Sequence, residues 1–337
     1  MCSTSVCVDI YPMHHSSIYK SYHLRERRTF YEPLLLWIHV PVLIWFIAFK
    51  SDPDSLTETK TNVAMMKRLV STISNLSLTF KSFIYPGGTR GYGIYRPGGI
   101  FTAPLVESMA DTLPADYAAT VAYPHYRALL KAESKDCARW SWTELCPDAI
   151  IGFTPNGSGF SLAGHWAVYL YAWKMVYGKG AEVPFPGTQA GWTSLYSETS
   201  SRTLAKVGIY AALNPEKLEG RIVNVADSST PGCMRERWPK ICEWFELKGV
   251  GPREGASAAD LKPSAFIKEH QWRLEEAGAK GVSIWNAEQL DRYGYWMTFD
   301  RQLSLERLRS AGFEDEKQPE EGWWEAFEMF KKAGMLR

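Results

Sequence analysis

Leu78-Thr79-Phe80-Lys81-Ser82-Phe83-Ile84-Tyr85-Pro86-Gly87-Gly88 is the stretch from which the fold is read. It alternates, then runs apolar, as a strand does, and Pro-Gly-Gly punctuates its end. Upstream, apolar residues at 65, 66, 69, 70 and 73 in Val63–Ile73 recur at helical spacing, behind Thr57-Glu58-Thr59-Lys60-Thr61-Asn62. Before that, Val42 to Ala48 reads as a core strand of a parallel sheet. Downstream, residues 117–132 read as a helix and Ser141 to Phe153 as another buried strand. Strand, helix, strand, helix, strand is the order of a doubly wound α/β domain. From residue 186 onward the chain turns helical and Trp-rich, with Pro/Gly breaks near 249–256. The expected layout is an atypical segment over 1–41, a cofactor domain over 42–185, and a mostly helical substrate-capping region over 186–337.

The 337 residues, 45% of them hydrophobic, suffice for one large or two modest cores, which excludes general disorder and a small disulfide scaffold. With 38 Lys+Arg against 37 Asp+Glu, no basic surface advertises nucleic acid. Fourteen tryptophans suggest either a Trp-rich core or a pocket for a flat, apolar ligand. The six cysteines form no CxxC and match no zinc spacing, so a reduced, cytoplasmic protein without a metal is expected. The apolar run Leu34–Phe49 is shorter than the ~20 residues of a membrane span and contains His39 and Pro41. No small-residue cleavage site follows it, so it is read as a Pro-broken buried segment rather than an anchor or a signal peptide. Tethering through residues 34–49 stays the contrary reading. The segment before it holds His14, His15, His23 and the basic Arg25-Glu26-Arg27-Arg28 without a periodic apolar face.

Gly87-Gly88-Thr89-Arg90-Gly91-Tyr92-Gly93 has the glycine content of a phosphate cradle. The Ile94-Tyr95-Arg96-Pro97-Gly98-Gly99 behind it starts no long helix, as a dinucleotide fingerprint requires. It reads instead as a loop at the carboxyl end of a strand, where open α/β sheets place their active sites. The first 85 residues contain no glycine at all, so no phosphate-binding turn can be written there. Ala122-Tyr123-Pro124-His125-Tyr126-Arg127 opens a helix. A tyrosine there serves as a general acid if a cation such as Arg90 or Arg127 stands beside it, and otherwise simply packs. His165 reads as a packed or capping histidine. No Gly-Xaa-Ser-Xaa-Gly elbow occurs, which leaves a hydrolase triad without an anchor. Glu314-Asp315-Glu316-Lys317 reads as a solvated surface.

Glu144-Leu145-Cys146-Pro147-Asp148-Ala149-Ile150-Ile151-Gly152-Phe153-Thr154-Pro155 resembles the RPxxIxGFxP segment of the progesterone 5β-reductase/iridoid synthase-like group of atypical extended short-chain dehydrogenases. Further pieces follow in order. Glu58–Asn62 resembles the group's ENxxxN helix start, and Gly88-Thr89-Arg90-Gly91-Tyr92 resembles its GTKHY. Tyr123 falls where FYYxxED carries a tyrosine. Phe185–Trp192 resembles FPGxxxxW, and Asn224-Val225-Ala226-Asp227 followed by Trp238 resembles the group's FNVxN/DG…W. The likeness covers roughly residues 42–337 and is nearest in wording to fungal members.

The resemblance implies a Rossmann-type sheet with a smaller helical capping domain, NADPH or NADH as cofactor, and reduction of an activated C=C or carbonyl in an apolar small molecule of secondary metabolism. Tyr123 would donate to the carbonyl oxygen, with Arg90 at the position of the group's lysine. Gly88, Thr89, Cys146, Pro147 and Ile150 would lie against the cofactor. Phe153, Trp192, Trp296 and Phe299 would wall the substrate, and a homodimer is compatible with the likeness. The departures are specific. Arg90 replaces lysine, a swap that changes how a phenol is positioned. Cys146 replaces arginine, and four residues after Tyr123 stands Arg127 rather than lysine. The group's amino-terminal strand, glycine-rich turn and first helix have no counterpart, so the N-terminal βαβ portion is expected to be incomplete. A non-catalytic homologue that binds an apolar ligand or a partner is the alternative function.

Overall fold

The computed structural model describes residues 8–11, 42–76, 79–135, 140–255, 257 and 262–337. The histidines and basic cluster of the amino-terminal segment, the first part of the apolar run (Leu34–Pro41), and Leu78 lie outside the described residues. Nine strands are described: β1 (Val8–Tyr11), β2 (Val42–Phe46), β3 (Phe80–Pro86), β4 (Ser141–Pro147), β5 (Ala149–Ile151), β6 (Glu182–Pro184), β7 (Glu198–Ser200), β8 (Arg221–Val225) and β9 (Lys248–Val250). The described helices of eleven residues or more are α1 (Ser55–Leu76), α2 (Ala122–Lys135), α3 (Leu162–Tyr177), α4 (Ser201–Leu213), α5 (Met234–Trp244) and α6 (Pro319–Lys332). None of the described helices is long and apolar enough to cross a membrane. Of the strand expected over Val42–Ala48, Val42–Phe46 is strand and the chain leaves it at Ile47.

The main sheet has the order β1-β2-β3-β4-β8. β2, β3, β4 and β8 are parallel, with Ile44 opposite Phe83, Tyr85 opposite Glu144 and Cys146 opposite Asn224. β1 joins the β2 edge antiparallel. The side-chain period of two sorts each strand's residues onto two faces. Ile44, Phe46, Phe83, Tyr85 and Trp142 meet Met66 and Val70 of α1 and Tyr126 and Leu130 of α2. On the other face Ile84, Leu145, Val223 and Val225 meet Leu204, Val207 and Ala211 of α4. Strands covered on both faces explain why these segments read as apolar runs rather than clean alternations. Strand order simply increases from β2 to β8. Among the described strands the parallel sheet therefore has no reversal of order, the feature that creates the dinucleotide crevice of a doubly wound sheet.

Three readings need correction. Ser141–Phe153 is two strands, since Asp148 turns inward between them and β5 leaves the main sheet to pair with β7. The helix expected over 117–132 is a short turn at Ala115–Ala118 followed by α2. The boundary at residue 185 does not divide the fold, because α4 and β8 lie beyond it and complete the main sheet. Conversely α3, before it, belongs to the second core. There Trp166, Trp238 and Trp323 are all buried, and Trp166 stacks on Trp323 with centroids 5.2 Å apart. Tryptophan abundance thus largely builds this core. His165 is also buried: its Nδ1 accepts from Trp285 Nε1 at 3.3 Å, and Nε2 lies 3.3 Å from Asp291. Of the charged run, Asp315 pairs with Lys206 and Glu316 with Arg309, at the surface.

One contact tests how α4 seats. A Cβ at Gly208 would overlap the Trp45 ring of β2. Gly208→Ala should therefore destabilise the chain by about 1–3 kcal/mol through overpacking, although alanine favours a helix. Denaturant unfolding measures this, and Trp45→Leu in the same chain should recover most of the loss.

Candidate active site

β3 and β4 run parallel with Pro86 opposite Leu145, so their carboxyl ends open at one edge of the sheet. The chain leaves β3 with the Gly87 amide donating to the Leu145 carbonyl at 2.7 Å. It then makes a 3-10 turn over Thr89–Tyr92. Two close approaches require glycine. A Cβ at Gly87 would overlap the Glu144 carboxylate, and one at Gly91 would stand 3.2 Å from the Tyr123 ring. A Cβ at Gly88 would stand 3.5 Å from the Tyr123 hydroxyl and 3.6 Å from the Pro147 carbonyl oxygen. The loop, the start of α2 and the end of β4 therefore converge on the Tyr123 phenol.

That phenol stays protonated. Burial first, then the Glu144 charge, pushes its pKa well above the ordinary 10.0, while Arg90 pulls weakly the other way. Its hydroxyl makes no hydrogen bond among the described residues. Arg90 does not grip the phenol. Its Nη1 donates to Glu58 Oε1 of α1 at 2.5 Å, its Nη2 reaches the Thr120 carbonyl at 3.3 Å, and the guanidinium lies 5.1 Å from the Tyr95 ring centre. Glu58 neutralises the charge that a lysine at this position would direct elsewhere.

Two buried carboxylates frame the site, and neither stood out in the sequence. Glu144 Oε2 accepts from the Tyr85 hydroxyl at 2.6 Å and from Arg127 Nη1 at 2.9 Å. Burial raises its pKa against the pull of Arg127. Asp148 accepts from the Thr89 hydroxyl at 2.7 Å and pairs with Arg301 Nε at 3.1 Å. Arg301 is itself only 2% exposed, donates to the Tyr293 hydroxyl at 2.9 Å, and lies 5.0 Å from the Tyr196 ring centre. Apolar flanks hid these acids in the sequence; the signal was two acidic residues at the buried end of one strand, Glu144 within β4 and Asp148 just after it.

The other expected site residues divide. Trp296 packs on Tyr95 at 4.9 Å, and Phe299 lies against Gly99, so both stand on the Arg90 side of the loop. Cys146 is buried in the cluster of Tyr92, Ile222 and Leu303, and burial pushes its thiol up in pKa. Ile150 is 43% exposed. Trp192 is a core residue against Phe185, and Phe153 packs edge-on against Phe330.

For a nicotinamide cofactor the fit is one-sided. Gly88, Pro147 and Tyr123, which lie together at the loop, are the residues that would meet the nicotinamide end. A pyrophosphate needs free backbone amides, and four amides at or just before the start of α1 are taken by the chain's own side chains. Lys50 N donates to Asn62 at 2.8 Å, Asp52 N to Glu58 at 3.3 Å, Asp54 N to Asp52 at 2.9 Å and Thr57 N to Asp54 at 2.9 Å. Three of these four acceptors are carboxylates, which would repel a phosphate. The residues at the start of α1 do not fit the phosphate end.

The Asp148–Arg301 pair predicts a stability signature. Arg301→Met leaves Asp148 buried without its cation and should cost about 3–5 kcal/mol. The double variant Asp148→Leu, Arg301→Met should cost less than the single. Thermal or denaturant unfolding of the three chains decides this.

Comparison with known proteins follows the same outline. Residues 39–337 match a PRISE-like Rossmann-fold domain. Short chain dehydrogenase sirS of Leptosphaeria maculans is 29% identical over 326 residues, covering 87% of this chain and 76% of that protein. Short chain dehydrogenase ausT of Aspergillus calidoustus is 27% identical over 284 residues, covering 82% of this chain and 68% of that protein. Among solved structures, a GDP-L-fucose synthetase from Naegleria fowleri superposes with a TM-score of 0.58 at 12% identity, covering 86% of this chain and 76% of that one. RMD from Pseudomonas aeruginosa complexed with NADPH superposes with a TM-score of 0.54 at 12% identity, covering 88% and 83%. At such identity the two structures speak to the fold alone.

Proposed function

This chain belongs to the PRISE-like Rossmann-fold family, and from that premise we propose that it is a nicotinamide-dependent oxidoreductase whose site reduces an activated C=C or carbonyl of an apolar small molecule. The names of the fungal relatives, short chain dehydrogenases, favour this class. Secondary metabolism is the setting we propose. One observation carries the reading: Tyr123 is held at the carboxyl edge of the sheet as a phenol whose proton is kept on by burial and by Glu144. Such a group is a poor base and a good donor. When negative charge develops on a carbonyl oxygen placed at Gly88, the phenol donates to it and stabilises the enolate or alkoxide. Gly88 and Gly91 let the loop approach the Tyr123 ring and hydroxyl closely. Tyr95, Trp296 and Phe299 offer it an apolar wall that excludes water and strengthens the bond. The cofactor supplies hydride in this class of reaction. Arg90, held by Glu58, orients the loop and acts on the phenol only from a distance.

Turnover of a panel of enones and enals with NADPH and with NADH tests the proposal. Tyr123→Phe should lower kcat by about 10²–10⁴-fold. The sign of the pH dependence follows from the raised pKa. The donor form persists above the ordinary tyrosine value, so turnover should show no alkaline fall below about pH 10. Unchanged turnover in Tyr123→Phe, or a fall centred near pH 8, contradicts the assignment. The occupied amides before α1 favour a second reading, a homologue that binds an apolar ligand without reducing it. In that case apolar carbonyl compounds bind and no member of the panel turns over.

A further inference from the structure

Of the six asparagines, Asn156 is the one followed by glycine. It stands with Pro155 at a turn in the loop that joins β5 to α3, exposed and outside any helix or strand. Its carboxamide bonds to none of the described residues, and neither does the Gly157 amide that follows. Gly157 has a φ of 69°, a left-handed conformation natural to glycine. The other asparagines are placed differently. Asn62 and Asn224 are fully buried. The Asn62 amide donates to the Lys50 and Glu58 carbonyls, and the Asn224 amide to those of Leu105 and Ser304. Asn214 precedes a proline, which has no N–H to offer. Asn75 sits within α1, and Asn286 precedes the buried Ala287. The loop of Asn156 also touches the cap. A Cβ at Gly157 would overlap the Ile284 carbonyl, so this backbone lies directly against it. Two residues on, the Gly159 carbonyl accepts from Gln289 Nε2.

We propose that Asn156–Gly157 is a self-modifying site, at which Asn156 converts through a cyclic imide to isoaspartate and so lifts the loop off Ile284 and Gln289. The chemistry needs only water. The Gly157 amide gives its proton to hydroxide, and its nitrogen attacks Asn156 Cγ. The Cγ–Nδ2 bond breaks, and ammonia leaves with a proton taken from water, which restores the hydroxide. Water then opens the five-membered imide. Opening at the side-chain carbonyl gives aspartate, and opening at the main-chain carbonyl gives isoaspartate. Nothing is oxidised or reduced. Gly157 favours ring closure twice: no side chain hinders its nitrogen, and no described acceptor holds its N–H away. Isoaspartate adds one methylene to the main chain and a carboxylate in place of a neutral amide. The loop has little room for either. β5 is paired with β7 before it. After it, Ser161 N donates to the Ser158 carbonyl at 3.2 Å and Ser161 Oγ caps α3 by accepting from Gly164 N at 3.1 Å. The added length therefore falls where Gly157 meets Ile284. The inference does not depend on the proposed reaction.

Ageing the full chain at neutral and mildly alkaline pH, with peptide mass spectrometry at intervals, tests it. The peptide containing Asn156 should gain the mass difference between a carboxamide and a carboxylic acid. It should do so faster than the peptides of the other five asparagines, at a rate that rises with hydroxide concentration. An isoaspartate-specific methyltransferase should label the product. In the converted fraction, hydrogen–deuterium exchange over residues 284–289 should be at least about tenfold faster, while peptides from β3 and β4 stay unchanged. Asn156→Ser, aged in the same way, should exchange over 284–289 as the fresh chain does. Conversion of another asparagine ahead of Asn156, or a chain that acquires no methyl label, overturns the modification. Conversion at 156 that leaves 284–289 unchanged overturns the release of the contact. So does faster exchange there that also develops in Asn156→Ser.

Discussion

The geometry of the site depends on two carboxylates at the end of one strand, each buried and each held by a single arginine. Glu144 meets Arg127 from α2, and Asp148 meets Arg301 from the segment that returns from the cap. A buried charge without its partner is strongly destabilising, so these pairs fix what may surround β4. Glu144 forces glycine at 87 and holds the start of α2, which carries Tyr123. Asp148 takes the Thr89 hydroxyl and so anchors the same loop from below. It also binds the stretch that supplies Trp296 and Phe299. Loop, phenol and aromatic wall are thereby tied to one strand.

That arrangement explains how an arginine stands where the resemblance to the GTKHY motif would place a lysine. A guanidinium is always charged and forks in a plane, and a free one beside Tyr123 would favour the phenolate. Glu58 takes one arm of the fork, the Thr120 carbonyl takes another, and Tyr95 covers its face. What reaches Tyr123 is outweighed by burial and by Glu144, so the phenol keeps its proton.

Much of this was legible in the sequence wherever one element decides the outcome. The punctuated strand before Gly87, the helical spacing of 63–73 and the tyrosine opening α2 each follow from local pattern. So does the lack of a glycine-rich turn, since no glycine precedes Gly87. What stayed hidden needed partners far along the chain. Asp148 and Arg301 are separated by most of the cap, and nothing near either one announces the other. Trp192 and Trp296 look alike in sequence, yet one packs on Phe185 in the core and the other on Tyr95 beside the loop. The boundary expected at 185 failed for the same reason. A helical stretch with a short strand reads as a new domain until register shows Cys146 beside Asn224.

On the proposed reading, the loop, Tyr123 and Pro147 meet the reacting end of a nicotinamide, and the start of α1 offers its phosphates no cradle. Titration calorimetry of the full chain with NADPH and with reduced nicotinamide mononucleotide tests this most directly. If the phosphates of the larger molecule find few partners, the two dissociation constants should agree within about tenfold. NADPH binding about a thousandfold tighter, the return from two or more charge-assisted hydrogen bonds, would contradict the account.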